Sequence, residues 1–361
     1  VRSSEVGVVD FPTLGHLLDE WIAAHCRVPQ GFARGKDFVQ ADWQFWCTAN
    51  HYRVREDAEW LPDRPLLNQA FVYRRSQVVA PQKTGKGPWS AAVAAAEAVG
   101  PVVFGGWAKR GDVYRCEDHG CDCGWEFRYN PGEPMGVRHP SPLIQLTATS
   151  EDQVTDNIYN HLRASIRMGP LKSQLLVREG FIRIAGLGDD DPETSRIDVV
   201  TASANSRLGN PCSFAVQDET GLYVTSNKMR KVAETQRRSV AGMGGRVIET
   251  TNAWDPAEGS VAQTTYEASA TDVFRFYRNP DIVLRGKDGH PLRYSFKRDR
   301  DRIHRHVYEG SWWVNLDSIE AEAAELLETD PAQAERFFGN RLVYGAGAWL
   351  PVGAWEAARA S

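Results

Sequence analysis

The sequence predicts an α/β fold built on a mostly parallel central sheet. Three observations predict it. Between residues 71 and 250, short apolar runs alternate with longer stretches of helical spacing, the pattern of strand–helix–strand units. One apolar run, ending Val78-Val79-Ala80, passes through a short polar loop directly into an Ala-rich helix. Hydrophobic residues make up 42% of the 361 residues and charged residues 25%, enough apolar material for a sizeable core and too much for a disordered chain.

The elements follow in order. Leu14, Leu17, Leu18, Trp21 and Ile22 give residues 12–26 helical spacing. A connector rich in Gly and Pro runs to Gly35, and residues 38–60 read as a second helix carrying Phe38, Trp43, Phe45, Trp46 and Tyr52. Residues 71–80, rich in β-branched and aromatic side chains, read as one or two strands. A helix over 88–98 opens on Pro88, whose missing N–H costs nothing in a first turn. Further strands are expected over 102–104, 143–148, 181–185, 197–201, 213–217 and 246–250, and helices over 151–167, 228–242 and 316–339. Residues 106–140, polar and rich in Gly and Cys, read as an irregular insertion. Gly242-Met243-Gly244-Gly245 reads as a helix C-cap, Gly286-Lys287-Asp288-Gly289 as a hairpin turn, and Asp189-Asp190-Asp191 as an acidic loop.

Charge and cysteine content narrow the function classes. With 42 Lys+Arg against 47 Asp+Glu the net charge is -5, so the chain is no basic nucleic-acid coat and any polyanion contact must come from a local patch. Six cysteines are too sparse for a disulfide scaffold. The most apolar stretch, 90–108, contains Glu97 and Pro101 and reads as a buried helix plus a strand, not a membrane span. Arg2, Glu5 and Asp10 interrupt the start, where a signal peptide would be apolar. A first residue Val1 and an unfinished pattern over 358–361 suggest a piece of a longer cytoplasmic protein.

The chemistry concentrates in three segments. Val78-Val79-Ala80-Pro81-Gln82-Lys83-Thr84-Gly85-Lys86-Gly87-Pro88 is a strand, a loop ending Gly-Lys, and a helix start. That order suits a phosphate cradle, in which backbone N–H groups and a helix N-terminus hold the anion and a lysine reaches its outer oxygens. Ala80 stands where the first Gly is usual, and Gly87 where a Ser or Thr would reach Mg²⁺. Alone, the segment also reads as a basic surface turn. The second segment, 212–220, is an apolar strand ending Asp218-Glu219, which suits a metal carboxylate followed by a carboxylate that activates water. The third is a strand ending Thr250-Thr251-Asn252, where a sensor of the γ-phosphate would sit; a capped strand-to-loop turn reads equally well. The first two segments support each other, because neither chemistry works without the other, and together they point to a nucleoside triphosphatase.

In this order the three segments resemble the ATPase domain of the large terminase subunit of tailed bacteriophages. The likeness extends to Gly35–Gln44, similar to the family's adenine-recognising segment with Gln44 in the glutamine position, to Tyr73-Arg74-Arg75, and to the run after His139. Arg336-Phe337-Phe338-Gly339-Asn340 and Ala348-Trp349-Leu350-Pro351 resemble the exit toward a nuclease domain. The resemblance covers nearly all of the chain and is loosest over 106–140. It implies a RecA-like P-loop ATPase with an N-terminal helical segment over 1–60, an ATPase core over 61–312 and a helical linker over 313–361. It implies ATP held by Gln44 and by Pro81, Gln82, Lys83, Thr84, Gly85, Lys86 and Gly87. Asp218 would take Mg²⁺, Glu219 would activate water, and Thr250, Thr251 and Asn252 would couple hydrolysis to movement. The family's in-loop arginine is Gln82 here, with Lys83 beside it as a substitute cation lacking a planar fork. Arg207 matches the position of an arginine acting on a neighbouring subunit, with Arg196 as a rival. The implied partners are double-stranded DNA, a portal protein, a small terminase subunit and further copies in a ring on the procapsid, in the cytoplasm of an infected bacterium and with no membrane. Nuclease activity is not expected from this piece.

Other constellations remain open. Cys116, His119, Cys121 and Cys123 offer four soft ligands for Zn²⁺, although the same run reads as a loop of reduced thiols. Cys26, Cys47 and Cys212 lie in apolar contexts and read as core. The charged runs 297–306 and 228–238 suit either DNA phosphates or a solvated face. Two rival functions stand: a helicase-like ATPase, and a degenerate scaffold that binds nucleotide without hydrolysis, the latter prompted by Ala80, Gln82 and Gly87.

Overall fold

The computed structural model describes residues 2–3, 5–64, 70–149, 155–178, 180–185, 195–200 and 210–345. Nine strands form one sheet in the order β1-β13-β2-β12-β11-β7-β10-β9-β8. These are β1 (Arg2–Ser3), β2 (Arg75–Val79), β7 (Leu143–Thr147), β8 (Leu175–Val177), β9 (Phe181–Ile184), β10 (Arg196–Val200), β11 (Phe214–Asp218), β12 (Arg246–Thr251) and β13 (Val273–Tyr277). Pairing is parallel from β1 to β10, and only β9 and β8 run antiparallel at one edge. The strands β2, β12, β11 and β13 are buried almost throughout, as parallel strands covered on both faces must be.

Helices α1 (Gly15–His25), α2 (Asp42–His51) and α3 (Lys86–Val99) share one core with the sheet. The alanines of α3 are all buried, and their small size lets this helix lie between α1, β7 and β11. After a π-type turn (Thr155–Tyr159), α4 (Asn160–Met168) packs on α3. Helices α5 (Met229–Gly242) and α6 (Val261–Glu267) connect β11 to β12 and β12 to β13. A second core joins Leu292, Tyr294, Ile303, Val307, Ile319, Ala323 and Phe338 across α7 (Lys297–Val307), α8 (Leu316–Thr329) and α9 (Pro331–Phe337). Among the described residues, no helix is long and apolar enough to cross a membrane.

Several expectations are corrected here. The helix expected over 38–60 spans only Asp42–His51, because Arg53 and Val54 instead bridge to Thr13 and Phe71. The strand expected over 102–104 lies outside the central sheet: β3 (Val103–Trp107) pairs antiparallel with β6 (Pro134–Val137). The insertion is therefore not irregular, and it also holds a small hairpin of β4 (Val113–Arg115) and β5 (Glu126–Arg128). The helix expected over 316–339 breaks at Asp330-Pro331, where Asp330 caps the N–H of Gln333 and proline opens a new first turn. Gly286–Gly289 does form a turn, but no strands flank it. Strand β13 was not read from the sequence at all.

One buried polar cluster ties the helical layer to the sheet. Arg246 of β12 donates to Glu97 Oε1 (3.1 Å) and to the carbonyl of His51 (2.6 Å). Its guanidinium lies over the rings of Tyr52 and Phe71, and the Tyr52 hydroxyl donates to the same Glu97 oxygen (2.6 Å). Burial pushes the Glu97 carboxyl up, and Arg246 opposes that shift. Removing one partner leaves a buried charge unpaired, so Arg246→Met is expected to cost ~3–5 kcal/mol in urea denaturation, and Arg246→Met with Glu97→Gln is expected to recover part of it. A single-variant cost under ~1 kcal/mol would contradict this reading.

Candidate nucleotide site

The site forms at the carboxyl ends of β2, β12 and β11. The register aligns Val78 with Thr250 and Thr250 with Asp218. Each strand therefore ends at the same level, and the next residues, Ala80, Thr251-Asn252 and Glu219, converge. Such strand ends, beside a helix N-terminus, are where open α/β sheets bind anions.

The loop after β2 leads into α3. Its turn uses Lys83 (φ 67°) and Gly85 (φ 92°) in the left-handed region. A Cβ added at Gly85 would lie 2.8 Å from Trp313 Cζ2 and 3.3 Å from Gln44 Nε2, so glycine is needed there for space as well as for φ. Ala80 has no such requirement: its N–H continues the ladder to the Thr251 carbonyl (3.1 Å). The absence of a first glycine therefore does not distort the loop. Thr84 turns inward and donates to the Pro81 carbonyl (2.8 Å). Gln82 is half-buried and Lys83 is exposed.

Lys86 is the centre of the arrangement. Its ammonium donates to the carbonyls of Ala80 (2.7 Å) and Pro81 (2.9 Å) and to Asn252 Oδ1 (2.9 Å). Asn252 in turn donates through Nδ2 to Glu219 Oε2 (3.2 Å). Thr250 donates to Asp218 Oδ1 (2.6 Å), and Thr251 accepts the N–H of Gly221 (2.9 Å). Burial lowers the affinity of Lys86 for its proton, while Glu219 and Asp218 restore part of it. Burial raises both carboxylic acids, Asp218 against the Thr250 hydrogen bond and Glu219 to about 7 with the Asp218 charge adding to the shift. Glu219 itself has φ 58°, a left-handed backbone that costs a non-glycine residue energy and aims its side chain off the strand axis.

The donor set suits a hard divalent cation. Two carboxyl groups lie beside one ammonium in front of the loop, and a cation there would favour their ionised forms. Asp218 offers oxygen of the kind Mg²⁺ takes alongside waters and phosphate. The loop offers no hydroxyl at position 87, and the structure explains why. A Cβ added at Gly87 would meet the Asn157 carbonyl at 2.5 Å and His161 Nδ1 at 3.2 Å. Asn157 comes from the π-type turn and His161 from the first turn of α4, and the Asn157 side chain hydrogen-bonds Asp218. Asn157 and His161 were not foreseen; the missing hydroxyl hinted at a replacement, but no spacing in the sequence pointed to them.

The second core reaches into the same site. Trp313 Nε1 donates to the Lys83 carbonyl (3.2 Å), and the Phe337 carbonyl accepts from Gln82 N–H (2.9 Å). Asn340 donates to the carbonyls of Val79 (3.2 Å) and Arg278 (3.1 Å). Gln44 lies at the loop as well, but both ends of its amide are engaged. Its Oε1 accepts from Ala41 N–H (2.9 Å) and its Nε2 donates to the Gly85 carbonyl (3.3 Å).

Other expected residues lie elsewhere. Arg196 begins β10 beside Leu143, at the end of the sheet opposite the loop, and donates to Asp198 (2.9 Å). Arg207, Asp189–Asp191 and Ala348–Pro351 lie outside the described residues. On 297–306, Arg300 is buried in a forked pair with Glu320 (2.9 and 2.6 Å), while Arg305 pairs with Asp301 (3.0 Å) at the surface and Lys297, Arg298 and Arg302 are exposed. On α5, Arg237 is bound to buried Glu249 (2.6 Å).

With this geometry in view, the chain superposes on the large terminase of bacteriophage HK97 with a TM-score of 0.56, covering 95% of this chain and 58% of that one at 14% identity. The chain has the fold of a phage large terminase. In sequence it is 26% identical over 204 residues to the gene 13 protein of Mycobacterium phage D29, covering 54% of this chain and 29% of that protein. It is 25% identical over 205 residues to the gene 13 protein of Mycobacterium phage L5, covering 55% of this chain and 30% of that protein. The chain thus spans less than a third of these relatives. No protein-family model matches it.

The tight surroundings of Gly87 make a prediction. Gly87→Ser, which would restore the usual loop hydroxyl, is expected to lower unfolding stability by about 1–3 kcal/mol through overpacking against Asn157 and His161. Urea denaturation measures this, and a stability equal to that of the parent would show that the position has room for a side chain.

Proposed function

We propose that this chain hydrolyses ATP and is the ATPase part of a phage large terminase, the motor that drives double-stranded DNA into a procapsid. The observation that carries the reading is the Lys86–Asn252–Glu219 bridge beside Asp218, at the carboxyl ends of three parallel strands in a large-terminase fold. A helicase-like motor would need the same site, but the fold favours the packaging reading over it. The degenerate scaffold loses two of its three prompts, since Ala80 leaves the loop undistorted and Gly87 is demanded by packing, and Gln82 alone still favours it.

In this reading the loop N–H groups after β2 receive the β- and γ-phosphates. Lys86 exchanges the Ala80 and Pro81 carbonyls for phosphate oxygens and keeps its bond to Asn252. Glu219, with its proton affinity raised toward neutrality, is suited to orient an attacking water and accept its proton. Mg²⁺ held by Asp218 would neutralise charge on the phosphates. Asn252 touches both Lys86 and Glu219, so it is placed to sense loss of the γ-phosphate. Trp313 and the Phe337 carbonyl are placed to carry that change into the second core. The DNA, the portal, the small subunit and a ring of copies supplying Arg207 to a neighbour belong to the same proposal.

The test is ATP binding and steady-state hydrolysis with Mg²⁺ over a range of protein concentrations. Glu219→Gln is expected to bind ATP normally and lose about 10²–10⁴-fold in turnover. Lys86→Ala is expected to lose binding itself. A parent chain that binds no ATP, or a Glu219→Gln variant with full turnover, would overturn the assignment.

A further inference from the structure

The insertion carries a second site, unrelated to the nucleotide. His25 Nε2 and the sulfurs of Cys116, Cys121 and Cys123 all lie within 4.8 Å of one another. A tetrahedral zinc ion with Zn–S of about 2.3 Å and Zn–N of about 2.0 Å spaces its ligands by roughly 3.5–3.8 Å. Closing the gap therefore needs only small side-chain rotations. Two distances, His25 Nε2 to Cys116 Sγ and to Cys123 Sγ, are 3.2 Å each, slightly shorter than that spacing.

We propose that His25, Cys116, Cys121 and Cys123 bind one structural zinc ion that clamps the insertion to the end of α1. The fourth ligand is His25, which lies 91 residues before Cys116, and not the neighbouring His119. The His119 ring stacks on Tyr114 (4.6 Å between centroids, 12° between planes) and takes no part in the cluster.

The surroundings prepare His25 as a ligand. Its Nδ1 lies 2.8 Å from the Trp21 carbonyl, which can only accept, so the proton sits on Nδ1 and the Nε2 lone pair faces the thiols. The ring is fixed between Trp21, stacked at 4.4 Å, and Trp125, edge-on at 5.6 Å. His25 is the last residue of α1, where the helix dipole favours a cation. On the insertion side, Cys116 and Cys121 stand at either end of a tight turn. Cys121 N–H donates to the Cys116 carbonyl (3.1 Å), and Gly120 supplies the left-handed residue (φ 75°). Trp125 N–H donates to Cys123 Sγ (3.4 Å), a bond that a metal-bound thiolate accepts well. His25, Cys116 and Cys121 are buried while Cys123 is exposed, which leaves a path for the ion.

Energetics give the ion a purpose. The β4–β5 hairpin has strands of only three residues, and an isolated two-stranded hairpin of that size is marginal at best. A bond network from α1 through the metal would hold it in place. Three thiolates and one imidazole select zinc over hard cations such as Mg²⁺.

The experiment measures metal content by mass spectrometry in the purified full chain, prepared without metal-affinity resin. One equivalent of zinc is expected in the parent and in His119→Ala, and its loss in Cys116→Ser with Cys121→Ser. Cobalt added to the stripped parent is expected to give the visible absorption of a tetrahedral thiolate complex. Stripping the zinc is also expected to open the 109–133 region to protease while the rest of the chain stays resistant. A parent chain free of zinc, with all three thiols reacting freely in its presence, overturns the proposal without relying on any variant. Zinc lost in His119→Ala and retained in His25→Ala overturns the ligand assignment.

Discussion

The site depends on one buried lysine held by one asparagine. Lys86 comes from the start of α3 and Asn252 from the end of β12, and their 2.9 Å hydrogen bond joins the phosphate loop to the neighbouring strand. The same asparagine reaches Glu219 at the end of β11. A buried ammonium is costly unless paired and hydrogen-bonded. Here all three of its protons have acceptors, and two carboxylates lie close enough to favour its charge. The sheet order makes this possible, because β12 lies between β2 and β11 and its last residues face both. Exchanging β12 with any other strand would leave Lys86 and Glu219 unlinked.

The packing around this bridge explains features that look like defects in the sequence. Gly87 lacks the usual hydroxyl because Asn157 of the π-type turn and His161 of α4 fill that volume. Ala80 replaces a glycine at a position whose backbone is not left-handed, so nothing is lost. The second core, which is separate in its packing, touches the loop through a tryptophan N–H and a backbone carbonyl. Loop and second core therefore cannot move independently. Trp313 and Phe337 are the points at which the loop after β2 is hydrogen-bonded to the second core.

The sequence was legible where local rules decide. Strand–loop–helix order with Gly85-Lys86, the apolar run into Asp218-Glu219 and the Thr250–Asn252 strand end all lie where expected, because parallel strands must end together for their loops to meet. Helices with a strong apolar stripe, such as α1 and α5, were also readable. What failed depends on distant partners. Strand β13 carries a local signal, a β-branched and aromatic run between Asp272 and Asn279-Pro280, but its place in the sheet is fixed by pairing with β2. The insertion meets the end of α1 through His25, which touches Cys116, Cys123 and Trp125. His25 lies 91 residues before Cys116, so no spacing pointed to it, whereas His119 stands among the cysteines in sequence and stacks on Tyr114 instead of joining them. Gln44, by contrast, sits at the loop where expected, hydrogen-bonded to Ala41 N–H and to the Gly85 carbonyl. In the charge runs on α5 and α7, Arg237 and Arg300 face acidic partners from elsewhere in the chain, while Lys228, Lys231, Lys297, Arg298 and Arg302 are exposed.

The most direct test of this account is ATP turnover in Asn252→Ala, measured beside ATP affinity. Losing a hydrogen bond to charged groups costs about 1.5–3 kcal/mol, which corresponds to roughly a 10–100-fold slower turnover, with binding changed only a few-fold because the loop and Lys86 remain. Turnover at the parent rate with unchanged affinity would mean that Asn252 links nothing, and that Lys86 and Glu219 do not act as one site.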